Sequence, residues 1–286
     1  ALSNGTAALH IGAKTILNSG DKVLTTPISF VATSNSILYA DATPIFVDVD
    51  DGANIDLNLC EDALKKDGSI KAIFAVDFTG RCVDPDGLRF LKDKYGIKIL
   101  EDAAHSLGST HLAKGSDLAT LSFHPVKHIT TGEGGAILTN DEEIYKRSKL
   151  LRGHGITREP SEFVLSEEAF GEDGLPNPWY YEMSDLGFNY RITDFQCALG
   201  ISQLSKLDKF INRRKEIAAT YDEKLKEHPL ISPLYRFDFD SAYHLYVAMI
   251  DYEAAGVSRK ELFGRLNGKK IFPQRKGEGL RMGINH

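Results

Sequence analysis

The chain has 286 residues, enough for one large domain with a smaller one attached and enough to bury a sizeable core. Hydrophobic residues make up 42% and charged residues 26%, which excludes a disordered, collagen-like or low-complexity chain. With 34 basic against 40 acidic residues the net charge is −6, and the absence of long like-charge runs leaves no footprint for nucleic acid or an anionic membrane. No apolar stretch approaches the roughly 18 residues of a membrane span, and the first residues lack a basic region followed by an apolar one. A cytoplasmic protein is expected.

In chain order, apolar residues at helical spacing predict a helix from Ala7 to Asn18, stopped by Gly20-Asp21. A strand over Lys22 to Thr26 follows, then a helix from Ser34 to Ala40 and a strand from Pro44 to Val49. An amphipathic helix is predicted from Asn58 to Lys66, an almost wholly apolar strand from Ile70 to Val76, a helix from Asp84 to Tyr95 and a strand from Ile97 to Leu100. Strands this apolar are buried on both faces, as in a parallel sheet flanked by helices. Two further strands, Leu118 to Phe123 and Ala136 to Thr139, bracket a polar, glycine-rich stretch. Residues 159–177, rich in Glu, Gly and Pro, read as a mobile surface loop. A long helical region from Thr193 to Lys226, a strand from Tyr243 to Ile250 and a helix from Arg259 to Leu266 suit a smaller α+β domain. The expected division is 1–207 and 208–286. Both ends look cut: only three residues precede the first turn, residue 1 is not Met, and residues 275–286 have no strand or helix period. A fragment, or a chain with an aberrant tail, is expected.

Cys60, Cys82 and Cys197 are too few and too widely spaced for a disulfide framework or a C-x-x-C pair. The nine histidines contain no H-E-x-x-H or comparable grouping, so no metal site is expected. A nicotinamide-binding chain would carry G-x-G-x-x-G after an early strand, and no such run follows Lys22 to Thr26.

Three segments carry chemistry. Ser3-Asn4-Gly5-Thr6-Ala7-Ala8 is a small polar turn opening a helix; it reads either as a phosphate cradle built on the helix N-terminus or as an ordinary N-cap. Glu101-Asp102-Ala103-Ala104-His105 follows an apolar strand, at the end of a parallel sheet where ligands sit. Asp102 there could hold a protonated ring nitrogen or cap a helix. In Ser122-Phe123-His124-Pro125-Val126-Lys127-His128 a single lysine is framed by small, apolar and hydroxyl residues, the setting in which an amine becomes a nucleophile toward a carbonyl; a bland surface lysine would need no such frame.

The runs SFHPVKHITTGEGGA, SNGTAAL, EDAAHSLGS, TTPISFVATSNSILYADATPIFVDVD and YEMSDLGFNYRITDFQCALG, in that family's order from Ser3 to about Ile250, resemble the pyridoxal-phosphate-dependent sugar aminotransferases of the DegT/DnrJ/EryC1/StrS family. Within the family, FHPVK and GFNYRITD are most similar to the enzymes that aminate C4 of a UDP-linked 4-keto-6-deoxy-N-acetylhexosamine on the route to pseudaminic acid. The resemblance implies an α/β fold of the fold-type I (aspartate aminotransferase-like) class with a smaller α+β domain, pyridoxal 5'-phosphate as cofactor, glutamate as amino donor and a nucleotide-linked keto sugar as acceptor. Lys127 matches the lysine that joins covalently to the cofactor and, once freed, moves a proton between the donor carbon and the cofactor. Asp102 matches the aspartate that keeps the pyridine nitrogen protonated. Phe30 falls where an aromatic ring stacks on the cofactor face, Gly5, Thr6 and Ser122 fall where the phosphate is held, and His105 lies near the 3'-oxygen, where many members have glutamine. Asn189 matches an asparagine that reaches the phosphate from the neighbouring subunit of a homodimer. Tyr190 and Arg191 are implied substrate contacts, and His154 is given a structural role. Members also carry a segment before the SNGT motif and a longer C-terminal domain, neither recognisable here. The alternatives are a dehydratase or deoxygenase of the same family, against which Lys127 argues because some of those members carry histidine in its place, a 3-keto-sugar aminotransferase, and a non-catalytic relative.

Overall fold

The seven-residue strand Ile70–Val76 sits inside a six-stranded sheet, and its period-two alternation sets the layers. Ala72 and Phe74 join a core with Leu9, Ala13, Val23, Ile37 and Leu100, whereas Ile73 and Ala75 join a second core with Leu24, Cys60, Leu64, Leu88 and Ile99. Both faces of the sheet are therefore covered, as uniformly apolar strands require. The computed structural model describes residues 1–268.

The elements run α1 (Gly5–Ile16), β1 (Lys22–Thr25), α2 (Ala32–Tyr39), β2 (Thr43–Phe46), α3 (Leu57–Lys66), β3 (Ile70–Val76), α4 (Pro85–Tyr95), β4 (Lys98–Asp102), β5 (Leu118–Ser122), β6 (Gly135–Leu138) and α5 (Glu142–Arg152). The sheet order is β2-β1-β3-β4-β5-β6, parallel except for the antiparallel β5–β6 pair. Side-chain caps fix the helix starts: Asn4 accepts from Ala7 N (2.8 Å), Asp56 from Asn58 N (2.8 Å) and Asp84 from Asp86 N (3.1 Å). The carboxyl ends of β1, β3, β4 and β5 share one edge of the sheet. Between β1 and β3 the strand order reverses, the place where open α/β sheets form a ligand crevice.

Beyond α5 come β7 (Ile156–Thr157), α6 (Ser166–Ala169), β8 (Glu182–Met183), α7 (Asp194–Leu204), α8 (Leu207–Leu225), β9 (Ile231–Pro233), β10 (Ala248–Ile250) and α9 (Arg259–Gly268). Residues 159–177 hold a 3-10 turn and α6 besides loop. The Glu182 carboxylate gathers the amides of Val164 and Leu165 and the hydroxyl of Tyr180 at 2.8–3.0 Å. The helix expected over Thr193 to Lys226 is broken at Ser205-Lys206 into α7 and α8. The strand expected over Tyr243 to Ile250 shortens to β10, because Tyr243 takes a positive φ of 47° and residues 240–245 instead form a strap against the main sheet. The helix α5, whose buried side chains are Ile144 and Leu151 alone, lies in a stretch to which the sequence assigned no element. Residues 275–286, where an irregular tail was expected, lie outside the described residues.

Candidate active site

Asp102 is the last residue of β4, buried at the sheet's carboxyl edge. Its Oδ2 accepts a hydrogen bond from Thr33 Oγ1 at 2.6 Å, and its Oδ1 accepts from Ala104 N at 3.2 Å. Burial pushes this carboxyl above its ordinary range, while the Thr33 and Ala104 bonds and the Lys127 charge pull it back. Lys127 stands on the loop between β5 and β6. That loop is closed at its base by Phe123 N to Gly134 O (2.8 Å) and Thr131 N to Phe123 O (3.0 Å), and turned by Lys127 N to His124 O (2.9 Å). Burial lowers the Lys127 ammonium, and the Asp102 carboxylate opposes that shift. A half-desolvated amine facing a carboxylate is the state a lysine nucleophile needs.

At the start of α1 the amides of Gly5 and Thr6 belong to the first turn and have no helical acceptor. No acidic residue stands in that turn, so the helix dipole favours an anion there. Gly5 lies against the end of β5: a Cβ built on it would sit 2.9 Å from Ser122 Cβ and 3.0 Å from Ser122 Oγ. The structure thus brings Gly5, Thr6 and Ser122 to one turn. The Gly5→Ala variant is expected to lose about 1–3 kcal/mol through overpacking, read as a lower denaturant midpoint, with weaker phosphate binding alongside.

His105 follows Asp102 in the turn after β4. Its Nδ1 is buried and has no hydrogen-bond partner, and its ring lies 4.3 Å from the His244 ring and 6.3 Å from that of Phe78. Burial first, then the charge of Lys127, lowers its pKa to about 3, which keeps it neutral. His128, also held neutral by burial with a pKa near 4, pairs its Nε2 with the Ala242 carbonyl at 3.1 Å; a carbonyl only accepts, so Nε2 carries the proton. His244 is lowered as well, by burial above all, and its Nδ1 too is buried and unpartnered. It is delivered by the strap, which Ala242 N to Gly80 O (2.9 Å) and Leu245 N to Thr79 O (3.1 Å) fasten to the turn after β3. Thr79 and Tyr243 both have positive φ (64° and 47°), a strained arrangement costing about 1–2 kcal/mol per residue that the surrounding packing sustains.

The remaining residues named from the sequence are placed differently. Phe30, just before α2, is 73% exposed, and its carbonyl lies 3.2 Å from Thr33 Oγ1, which ties its turn to the Asp102 neighbourhood. Asn189 and Arg191 are exposed, and among the described residues neither side chain forms a hydrogen bond or ion pair with Asp102, Lys127 or His105. Tyr190 is turned inward: its hydroxyl pairs with His10 Nδ1 at 3.2 Å, its ring stacks on Phe188 at 5.1 Å, and its carbonyl accepts from Ser3 N at 2.8 Å. The 187–191 segment is thereby fastened to the start of α1. His154 is exposed at φ 69°, its amide bonded to the Phe188 carbonyl. Among the described residues one group of possible metal ligands converges, Asp77, Cys82 and Glu101, with ligand atoms within 4.8 Å. Its carboxylates are already engaged: Asp77 by Val83 N and Ser106 Oγ, Glu101 by Ala113 N and Ser116 Oγ. Burial and the Glu101 charge raise Asp77 well above the usual carboxylate range.

Thr33 and His244 are site residues that the sequence did not reveal. Thr33 lies in the quoted VATSN run, where its small hydroxyl carries no signal without its partner 69 residues away. His244 was read as part of a strand.

Comparison with known proteins bears on this arrangement. The model of the DegT/DnrJ/EryC1/StrS aminotransferase family matches residues 1–274. A UDP-4-amino-4,6-dideoxy-N-acetyl-beta-L-altrosamine transaminase of Campylobacter jejuni is 39% identical over 272 residues, covering 93% of this chain and 67% of that protein. Among solved structures, Helicobacter pylori PseC, an aminotransferase involved in the biosynthesis of pseudoaminic acid, superposes with a TM-score of 0.82 at 31% identity, over 93% of this chain and 69% of that one. NtdA of Bacillus subtilis, solved with bound cofactor PMP, superposes with a TM-score of 0.76 at 29% identity, over 93% of this chain and 57% of that one. The mostly parallel sheet with helices on both faces is that of the fold-type I transferases, as the motifs implied. Sheet, motifs and relatives agree, and the chain belongs to the DegT/DnrJ/EryC1/StrS aminotransferase family.

Proposed function

We propose that this chain is a pyridoxal 5'-phosphate-dependent aminotransferase that moves the amino group of glutamate to the C4 keto group of a UDP-linked 4-keto-6-deoxy sugar, working in the cytoplasm as a homodimer. The observation that carries this reading is a half-buried amine, Lys127 on the loop after β5, within charge reach of a buried carboxylate, Asp102 at the end of β4, both at the carboxyl edge of the sheet. The acceptor rests on the likeness to the Campylobacter enzyme, and glutamate rests on the family resemblance.

The residues fit the cofactor on three counts. A Cβ at Gly5 would intrude on Ser122, so the turn is shaped for close backbone approach to a phosphate. His105 keeps a buried nitrogen unpaired, free to meet a polar ring substituent. Asp102, beside Lys127, offers a carboxylate to a protonated ring nitrogen. When bound, the cofactor supplies an electron sink for charge developing at the donor carbon. Asp102 holds the positive ring nitrogen by a charge-assisted bond, the amides of Gly5 and Thr6 with the Ser122 hydroxyl hold the phosphate, and Phe30 covers a ring face. Lys127 holds and moves a proton at Nζ, a role favoured by the burial that lowers its ammonium.

The homodimer is supported by apolar surface that the chain leaves uncovered. No residue of α7 is buried; Phe195 is 91% exposed and Ile201 73%, with Trp179 and Leu186 exposed nearby in sequence. Across that interface Asn189 of one subunit would serve the phosphate of the other, with Arg191 directed to substrate, which accounts for their exposure here. Tyr190 then serves to anchor the segment. The division into residues 1–207 and 208–286 belongs to the same proposal. No helix among the described residues is long and apolar enough to cross a membrane.

The test is an absorption spectrum with added pyridoxal phosphate, before and after glutamate. A visible band that glutamate removes, and that the keto sugar restores with appearance of the amino sugar, is the expected result. A folded chain that forms no such band overturns the reading.

A further inference from the structure

Thr33 Oγ1 lies at the centre of a short chain of oxygens: 2.6 Å from Asp102 Oδ2, 2.6 Å from Ser29 Oγ and 3.2 Å from the Phe30 carbonyl. A hydroxyl has a single proton to donate. An ionised carboxylate only accepts, so the Thr33 proton goes to Asp102, and Ser29 in turn donates to Thr33. The 2.6 Å separation from Asp102 falls in the range of an O–H bond to a charged acceptor. A protonated Asp102 would reverse the direction of the chain. Two other neighbours oppose that state: the Ala104 amide, which donates to Oδ1, and the Lys127 charge.

The hydroxyl is not needed by the helix that carries it. At the start of α2 no side chain caps a backbone amide, so Thr33 is not a cap. Its side chain points instead to a carboxylate 69 residues on, and both groups are buried. We infer that Thr33 is a positioning residue for Asp102, the middle link of a Ser29–Thr33–Asp102 hydroxyl chain that fixes the carboxylate in place and stabilises its negative charge. The inference deepens the proposed function, on which the role of Asp102 toward a ring nitrogen rests. Links in such a chain polarise one another, so the charged end draws on Ser29 as well as on Thr33. The same hydroxyl braces the Ser29-Phe30 turn, so the aromatic ring and the carboxylate share one support. Burial raises the Asp102 carboxyl, and the Thr33 bond is the foremost influence lowering it.

The test begins without cofactor. In the full chain labelled with carbon-13 at aspartate carboxyls, the Asp102 signal, identified by its loss in Asp102→Asn, is followed through pH. The charged group facing Asp102 is Lys127 from the β5–β6 loop; Val76 and Thr120, its register partners on the adjoining strands, carry no charge. Thr33→Val is expected to raise the Asp102 midpoint by roughly one to two pH units, as loss of a hydrogen bond to a charged group predicts. Thr33→Ser keeps the parent value, and Ser29→Ala shifts it the same way by less. With pyridoxal phosphate added, Thr33→Val binds it about tenfold or more weakly, and Thr33→Ser does not. An unchanged midpoint in folded Thr33→Val, or a Thr33→Ser variant as impaired as the valine one, overturns the inference. Should Thr33→Val not fold, Ser29→Ala decides: no upward shift overturns it. A parent chain that takes up no cofactor defeats the proposed function and leaves the Asp102 titration to stand or fall by itself.

Discussion

Replacing Lys127 by alanine is expected to abolish covalent attachment of the cofactor and to lower turnover by about 10,000-fold, the upper end of what a positioned acid–base group contributes. Borohydride reduction followed by mass measurement reads the attachment directly: the parent chain gains a phosphopyridoxyl group, the cofactor less one water plus the two hydrogens of reduction, and the variant does not. The loop fold should survive, because its closing bonds run between the backbones of Phe123, Thr131 and Gly134 and not through the lysine side chain. An unchanged circular dichroism spectrum is the control. Lys127→Arg is expected to fail equally, since a guanidinium does not give up its proton and cannot attack a carbonyl. A variant that still fixes the cofactor on reduction would mean that another amine serves, and Lys127 would lose its role.

Asp102→Asn keeps the shape of the side chain, and its amide oxygen can still accept the Thr33 proton, but the negative charge is gone. Loss of one preorganised electrostatic partner predicts a fall of about 100- to 1,000-fold in the rate at which glutamate changes the spectrum of the loaded protein. Cofactor affinity should fall as well, because the asparagine offers no charge to a protonated ring nitrogen. An unchanged rate of the glutamate reaction would show that the charge at Asp102 is not used.

The frame of the molecule was readable because its signals are local. Ile70–Val76 was placed to the residue by its apolar run, and the starts of α1, α3, α4 and α7 carry Asn, Asp or Thr caps within three residues of the amides they serve. What stayed hidden depends on distant partners. The break at Ser205-Lys206 carries no glycine or proline. Tyr243 to Leu245 of the strap read as the start of a strand continuing to Ile250 until the turn after β3 claims the strap's backbone bonds. In the site, Lys127 and Asp102 stood out by motif, whereas Thr33 acts through a residue 69 positions away and His244 through the distant His105 and His128 rings. The family resemblance implied Tyr190 as a substrate contact; its bond to His10 spans 180 residues and leaves no trace in local pattern.

The strap also sets an order of events during synthesis. A ribosome releases the amino-terminal parts of a domain first, so every strand of the main sheet has emerged before Ala242 can bond Gly80 and before His244 can reach His105. The nascent chain therefore carries Asp102 and Lys127 for more than a hundred residues of elongation before His244 has packed against His105. Capture of a ligand that contacts the His105–His244 pair would then report that residues 240–245 have folded back onto the turn after β3.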